Sequence, residues 1–238
     1  MVKKAFLDVD LTSQLELTSA NSINVARWLP QMFYFMFAYK QLKALDKPIV
    51  FSVPSGNFGN ICAGMVAQKL GFPIEHFIAS NNVNNVVTRF LETNTYNPKP
   101  SIQTISNAMD VGNPSNFIRI QALHDNDINK LKSNLSSYSF TDDETKTALE
   151  TIYSNSGYIA DPHGAVGYLG AKAHLTNHSN SQVVFLETAH PTKFLDVVEE
   201  VISEKVELPP QIQAVINQQK HATYVKNYEE FKSFMLKF

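Results

Sequence analysis

Ile49-Val50-Phe51-Ser52-Val53-Pro54-Ser55-Gly56-Asn57-Phe58-Gly59-Asn60 is the stretch that decides how this chain is read. A short apolar run of strand-forming residues ends at a proline, and a turn of serine, glycine and asparagine follows at once. From Ile61 to Leu70 the pattern becomes helical. A strand that passes through such a turn straight into a helix aims several main-chain N–H groups, and the positive end of a helix dipole, at one spot. That arrangement suits a phosphate. It equally suits an ordinary strand-to-helix turn whose glycines serve geometry alone, and spacing does not separate the two. No Gly-Lys-Ser/Thr follows, so the turn is not a nucleotide P-loop, and the three glycines of a dinucleotide fingerprint are missing.

The 238 residues leave room for one large α/β domain or two small ones around a substantial core. A net charge of −2 provides no global positive field, so nucleic acid is not an expected partner. The single cysteine, Cys62, excludes an internal disulfide framework. Its place inside the helix after the turn predicts a small buried residue and a reducing, cytoplasmic setting. Met1-Val2-Lys3-Lys4 runs into a mixed segment with Asp8 and Asp10, which carries no secretory signature. The most apolar window, Trp28 to Tyr39, is too short to span a bilayer and is interrupted by Pro30 and Gln31. A soluble protein with no membrane partner is expected.

Apolar runs alternate with helix-length periodic segments, the pattern of an α/β fold with a mostly parallel twisted sheet and helices on both faces. Strands are expected at Ile49–Val53, Ile74–Ala79, Ile102–Ile105, Tyr158–Ala160 and Val183–Leu186. Helices are expected at Ser22–Leu45, Ile61–Leu70, Val83–Thr93, Phe117–Leu123, Asp142–Ser154, Gly164–Leu175 and Thr192–Ile202. Thr141-Asp142-Asp143-Glu144 marks a helix start, with a capping residue and an acid three positions on. Beyond Pro209-Pro210 a Gln-rich stretch leads to Phe231, Phe234, Met235 and Phe238, one stripe of a helix. The expected division is residues 1–205 as the main domain, with 206–238 a polar linker and terminal helix packed on it. The opening, Val2-Lys3-Lys4-Ala5-Phe6-Leu7, reads as the tail of a helix, so the chain is expected to begin inside a fold.

Four further segments are dense in small polar residues. In Thr18 to Arg27, Ser22, Asn24 and Arg27 fall near a helix start and would converge on an anionic oxygen, or else form a cap with a surface arginine. Ser106 to Phe117 holds a turn, a capping Ser115, and Asp110 and Asn116; it either lines a cleft at a strand end or is a turn and nothing more. Ala160-Asp161-Pro162-His163-Gly164-Ala165 is read most economically as a helix start with Asp161 as cap and Pro162 at its first position. His163 has the chemistry of an acid, a base or a metal ligand, yet no metal-ligating partner stands at the right spacing, and no metal is expected. In Phe185 to Phe194, Thr188 falls at a strand's carboxyl end, where α/β sheets bind ligands. A hydroxyl there would bond a heteroaromatic nitrogen, or satisfy its own backbone.

Taken in order, Val2–Phe6, Asn21–Asn24, Val53–Asn60, Asn107–Phe117, Asp161–Ala165 and Thr188–Phe194 resemble threonine synthase, a pyridoxal-phosphate enzyme of the tryptophan-synthase-β fold type, or fold type II. The resemblance implies conversion of O-phosphohomoserine and water to threonine and phosphate. It implies that Ser55, Gly56, Asn57, Phe58, Gly59 and Asn60 hold the phosphate of pyridoxal 5'-phosphate, and that Thr188 bonds its pyridine nitrogen. Ser22, Asn24 and Arg27 become candidates for the substrate phosphate, with Asp110, Ser115 and Asn116 near the cleft. Thr192 stands where the family often carries alanine.

One family feature is missing. The Schiff-base lysine lies in a Ser/Thr-Phe-Lys-Asp type segment upstream of the first matching residue, and these 238 residues contain no such segment. Lys193 is nearest to a motif, but its place in a proline-initiated helix reads as a helix-start residue. The expectation is therefore a carboxyl-terminal portion of a threonine synthase, inactive by itself, which self-associates through surface its missing half would cover. The rivals are another fold-type-II lyase or dehydratase, and a non-catalytic anion-binding homologue.

Overall fold

The computed structural model describes residues 1–219 and 221–237. They fall into two compact units: Met1–Asn24 with Leu208–Phe238, and Val25–Glu207.

The larger unit is built on β1 (Ile49–Pro54), β2 (His76–Asn81), β3 (Leu135–Ser139) and β4 (Gln182–Phe185), in the order β3-β2-β1-β4 with every pair parallel. Parallel neighbours need crossover connections. In chain order the longer helices are α1 (Met32–Leu42), α2 (Gly59–Lys69), α3 (Val86–Thr93), α4 (Phe117–Leu123), α5 (Ile128–Asn134), α6 (Asp142–Ser156), α7 (Pro162–Leu175) and α8 (Leu195–Ile202).

The two-residue alternation of β1 and β2 sets which helices cover which face. Phe51 and Val53 join Phe77, Ala79 and Leu135 in one core with Phe35 of α1 and Ile61 and Met65 of α2. The Phe35 ring meets Phe51 edge-on at 4.9 Å and Phe77 at 6.0 Å. Ser52 and Ser80 take the opposite face, where their hydroxyls lie 2.8 Å apart and Ser52 donates to the Gly167 carbonyl of α7 at 2.6 Å. A Cβ on Gly170 would stand 1.9 Å from Ser80 Oγ, so only a residue without a side chain lets α7 lie this close to the sheet.

Several expectations are corrected. The helix expected over Ser22–Leu45 breaks into Val25–Trp28, a 3-10 turn at Leu29–Gln31, α1, and a second 3-10 turn at Lys43–Leu45. Pro30 has no N–H and disfavours helical backbone at the residue before it. Ile102–Ile105 belongs to no strand, because side chains take the place of a ladder. Asn84 bonds both the N–H and the carbonyl of Ile102, and Asp110 accepts from Thr104 N–H. Tyr158–Ala160 likewise has no strand partner and simply leads into the Asp161 cap. Conversely, β3 is a serine-rich edge strand with only its first residue buried, and α5 is a seven-residue helix capped by Asp127; neither was expected. Phe117–Leu123 is helical over the residues expected, and Thr141 with Glu144 forms a complete capping box.

In the smaller unit, Asp8 caps the helix Val9–Gln14. It also accepts from Tyr228 Oη at 2.7 Å and pairs with Lys232 at 2.9 Å, both in the helix Tyr228–Met235. Phe231, Phe234 and Met235 form its half-buried stripe, while Phe238 lies outside the described residues. Among the described residues, no helix is long and apolar enough to cross a membrane.

Candidate functional site

The turn after β1 is held from several sides. Ser55 N–H donates to the Ser80 carbonyl at 2.9 Å, continuing the ladder with β2, and its own carbonyl accepts from Asn81 Nδ2 at 2.6 Å. Asn60 Nδ2 reaches back to the Pro54 carbonyl at 2.9 Å. Gly56 is pressed against the main chain of the opposite loop: a Cβ there would meet Met109 Cα at 2.6 Å. Phe58 adopts the left-handed conformation, φ 61°, which costs an ordinary residue about 1–2 kcal/mol. Burial of its ring, edge-on to Phe117 at 5.8 Å, offsets that strain.

The strained turn leaves the N–H groups of Gly56, Phe58, Gly59 and Asn60 without a hydrogen-bond partner among the described residues. They stand at the start of α2, whose first turn carries no acid to compete for the positive end of the dipole. An anion there satisfies donors that the fold itself does not.

A supporting layer lies behind the turn. Asn57 Oδ1 accepts from Ser115 N–H at 2.6 Å, and the Asn57 carbonyl accepts from Nδ2 of the fully buried Asn116 at 3.0 Å. Asn116 Oδ1 in turn accepts from the Arg119 guanidinium. Ser115 and Asn116 thus meet the turn after β1 through Asn57. Asp110 accepts from Thr104 Oγ1 at 2.7 Å, Thr104 N–H at 3.0 Å, Asn82 at 2.9 Å and Asn84 at 3.1 Å. Its carboxylate is the hub of the wall that ends in the Met109 turn. Thr188 is exposed in the segment that leaves β4, and the register Ser52↔Phe185 brings it out on the same edge of the sheet as Ser55. Arg27 is exposed in the short helix Val25–Trp28 of the larger unit, whereas Ser22 and Asn24 belong to the smaller one.

His163 is only 2% exposed. Its Nδ1 lies 2.6 Å from Asp161 Oδ1, its Nε2 accepts from Ala108 N–H at 3.3 Å, and its ring packs 4.9 Å from that of Phe194. Burial raises the Asp161 pKa, but the hydrogen bonds from His163 outweigh it and hold the carboxyl low. Burial and the Asp161 charge push Glu187 well above the usual carboxylate range. Lys193 is exposed on the 3-10 turn Pro191–Phe194. Cys62 is fully buried, and burial pushes its thiol up to about 12. Among the described residues no cluster of three or more His, Cys, Asp or Glu could hold a metal.

The residue-by-residue reading passed over Asn81, Asn82, Asn84 and Arg119. The signal for the asparagines was the polar run Ser80-Asn81-Asn82-Val83-Asn84-Asn85 at the end of β2. Nothing in the sequence marks Arg119, which stands behind the turn through Asn116.

A parallel α/β sheet with unpartnered main-chain N–H groups at the carboxyl edge of a central strand is an arrangement suited to a phosphorylated ligand. Residues 17–189 match the family profile described as "Pyridoxal-phosphate dependent enzyme", and residues 164–235 match "Threonine synthase, C-terminal". The chain belongs to the pyridoxal-phosphate dependent enzyme family, of fold type II. It is 42% identical over 210 residues to a threonine synthase of Haemophilus influenzae, covering 88% of this chain and 48% of that one. The crystal structure of threonine synthase from Escherichia coli superposes with a TM-score of 0.91 at 36% identity, covering 99% of this chain and 55% of that one. A pyridoxal-phosphate-bound threonine synthase from Brucella melitensis gives 0.86 at 32% identity, with 98% and 55% covered. The chain spans about half the length of the curated relatives it matches. The cofactor fits the site: four unpartnered N–H groups suit its dianionic phosphate.

Proposed function

We propose that these residues are the carboxyl-terminal portion of a cytoplasmic threonine synthase, which converts O-phosphohomoserine and water to threonine and phosphate. The observation that carries the reading is the cradle of Gly56, Phe58, Gly59 and Asn60 N–H groups at the end of β1, with Thr188 on the same edge. Identity near 40% to threonine synthases supports the choice within the family. In this reading, residues 1–205 are the carboxyl-terminal part of the large domain and 206–238 its linker and terminal helix.

Pyridoxal phosphate, when bound, supplies the electron sink that lets protons leave carbons of an amino-acid substrate. The main-chain cradle fixes its phosphate, and the helix dipole of α2 favours the negative charge there. The neutral Thr188 hydroxyl would bond the ring nitrogen of the cofactor, which suits a moderated electron sink. Arg27 of the larger unit is the cation proposed for the substrate phosphate. Asp110, Ser115 and Asn116 shape the cleft wall and the turn.

The 238-residue protein should bind pyridoxal phosphate weakly and noncovalently, and pyridoxal more weakly still. Borohydride reduction should leave no adduct on a single lysine, and peptide mapping to one site would count against the reading. The substrate is tested by extending the reading frame upstream of Met1. A longer product that carries a Ser/Thr-Phe-Lys-Asp segment should release phosphate from O-phosphohomoserine, while ammonia release from serine or threonine alone would make it a dehydratase. Tyr34 and Phe37 of α1, 60% and 63% exposed, support association with a second copy. Light scattering should show species larger than one chain, and a strict monomer would remove that part of the proposal.

A further inference from the structure

The cradle has no side chain of its own that fixes its shape from the Gly56 side. That side rests on the main chain of Ala108 and Met109, in a loop whose Ala108 is exposed. What holds this loop in turn is the start of α7. Ala108 N–H donates to His163 Nε2 at 3.3 Å, across 55 residues of sequence. Nε2 can accept only when it carries no proton, so the ring proton sits on Nδ1, and there it is taken by Asp161 Oδ1 at 2.6 Å. Asp161 is itself immobile: fully buried, it caps α7 by accepting His163 N–H at 2.8 Å. Both oxygens of Glu187, the residue before Thr188, are shielded from solvent beside this pair. The imidazole therefore has one tautomer and one orientation, set by Asp161, and hands that rigidity to the loop behind Gly56.

We infer that His163 is a positioning residue for the phosphate cradle, acting through Ala108 and Met109 on Gly56 and not by touching the reacting atoms. This deepens the proposed function and rests on it for the identity of the anion. A histidine that merely filled the core would need neither the acceptor at Nε2 nor the carboxylate at Nδ1. Nor would it face the main chain of the loop that walls the turn.

Amide hydrogen exchange on the unliganded 238-residue protein tests the contact without any ligand. His163→Asn keeps a short side chain that cannot reach Ala108. It should speed exchange at Ala108, Met109 and Asp110, the hydrogen-bonded amides of the loop behind Gly56, by about tenfold, the size of one lost hydrogen bond, and leave β1 and β2 unchanged. His163→Gln, which places an acceptor oxygen near the position of Nε2, should restore slow exchange. In a second arm, His163→Asn should weaken pyridoxal phosphate by about tenfold and leave pyridoxal unaffected, whereas a general structural role would weaken both alike. Unchanged exchange in His163→Asn, or equal losses for the two ligands, would overturn the inference. If the unaltered protein binds pyridoxal phosphate no better than pyridoxal, the proposed function fails, and the exchange arm still decides the role of His163.

Discussion

Gly56 and Phe58 show how much of the site is backbone shape. At Gly56 the neighbour a methyl group would strike is the Met109 Cα, at 2.6 Å, and a main-chain atom has little room to yield. Gly56→Ala should therefore destabilise the fold by about 1–3 kcal/mol, read as a lower denaturant midpoint, and should lower pyridoxal phosphate affinity as well. Asn116 tests the layer behind. Replacing it by alanine removes its hydrogen bonds to the Asn57 carbonyl and the Arg119 guanidinium, at a cost of about 1–3 kcal/mol in urea unfolding. The turn itself was readable because strand, glycine turn and helix follow one another without interruption. The roles of Asn116 and Asp110 were not, since they depend on which loops the sheet order brings together.

Among the elements, those with clean periodicity declared themselves. β1 is apolar apart from Ser52, being buried on both faces between α1, α2 and α7, and α4 and α6 begin where their patterns begin. Two kinds of element did not. A peripheral strand such as β3, Leu-Ser-Ser-Tyr-Ser, lacks the apolar alternation because one side of it is only half covered. A stretch such as Ile102–Ile105 carries the apolar pattern of a strand, yet asparagine and aspartate side chains supply its hydrogen bonds. The packing of α7 on β1 and β2 is more demanding than its sequence betrays. With Ser80 Oγ 1.9 Å from where a methyl would sit, Gly170→Ala should cost about 1–3 kcal/mol, measured by thermal or denaturant unfolding, although alanine is the better helix former.

For the molecule as a whole, acid stability should hinge on a stack of histidines at the far end of α7 from His163. His174 lies between His76 and His178, with ring centroids 5.6 and 4.2 Å away, and its Nδ1 is buried without a partner. Burial first, then the neighbouring imidazoles, depress its pKa from 6.5 to about 4. The unfolded chain thus binds a proton at a higher pH than the folded one does, so stability falls as the pH drops from 6.5 towards about 4. Below that window the folded state is protonated too, and this contribution stops changing. His174→Gln should flatten the fall in melting temperature across the window, and an unchanged slope would assign acid sensitivity elsewhere.

In the proposed function the grip on the anion comes from amide groups that every residue possesses, and this changes what variation in the turn can do. Swapping side chains at Asn57 or Asn60 alters no donor directly; it matters only if the path of the chain shifts. A saturation library across the turn should consequently sort first by conformational tolerance, with survivors ranked by whether they accept positive φ at Phe58, put no bulk at Gly56 and add no acid at the start of α2.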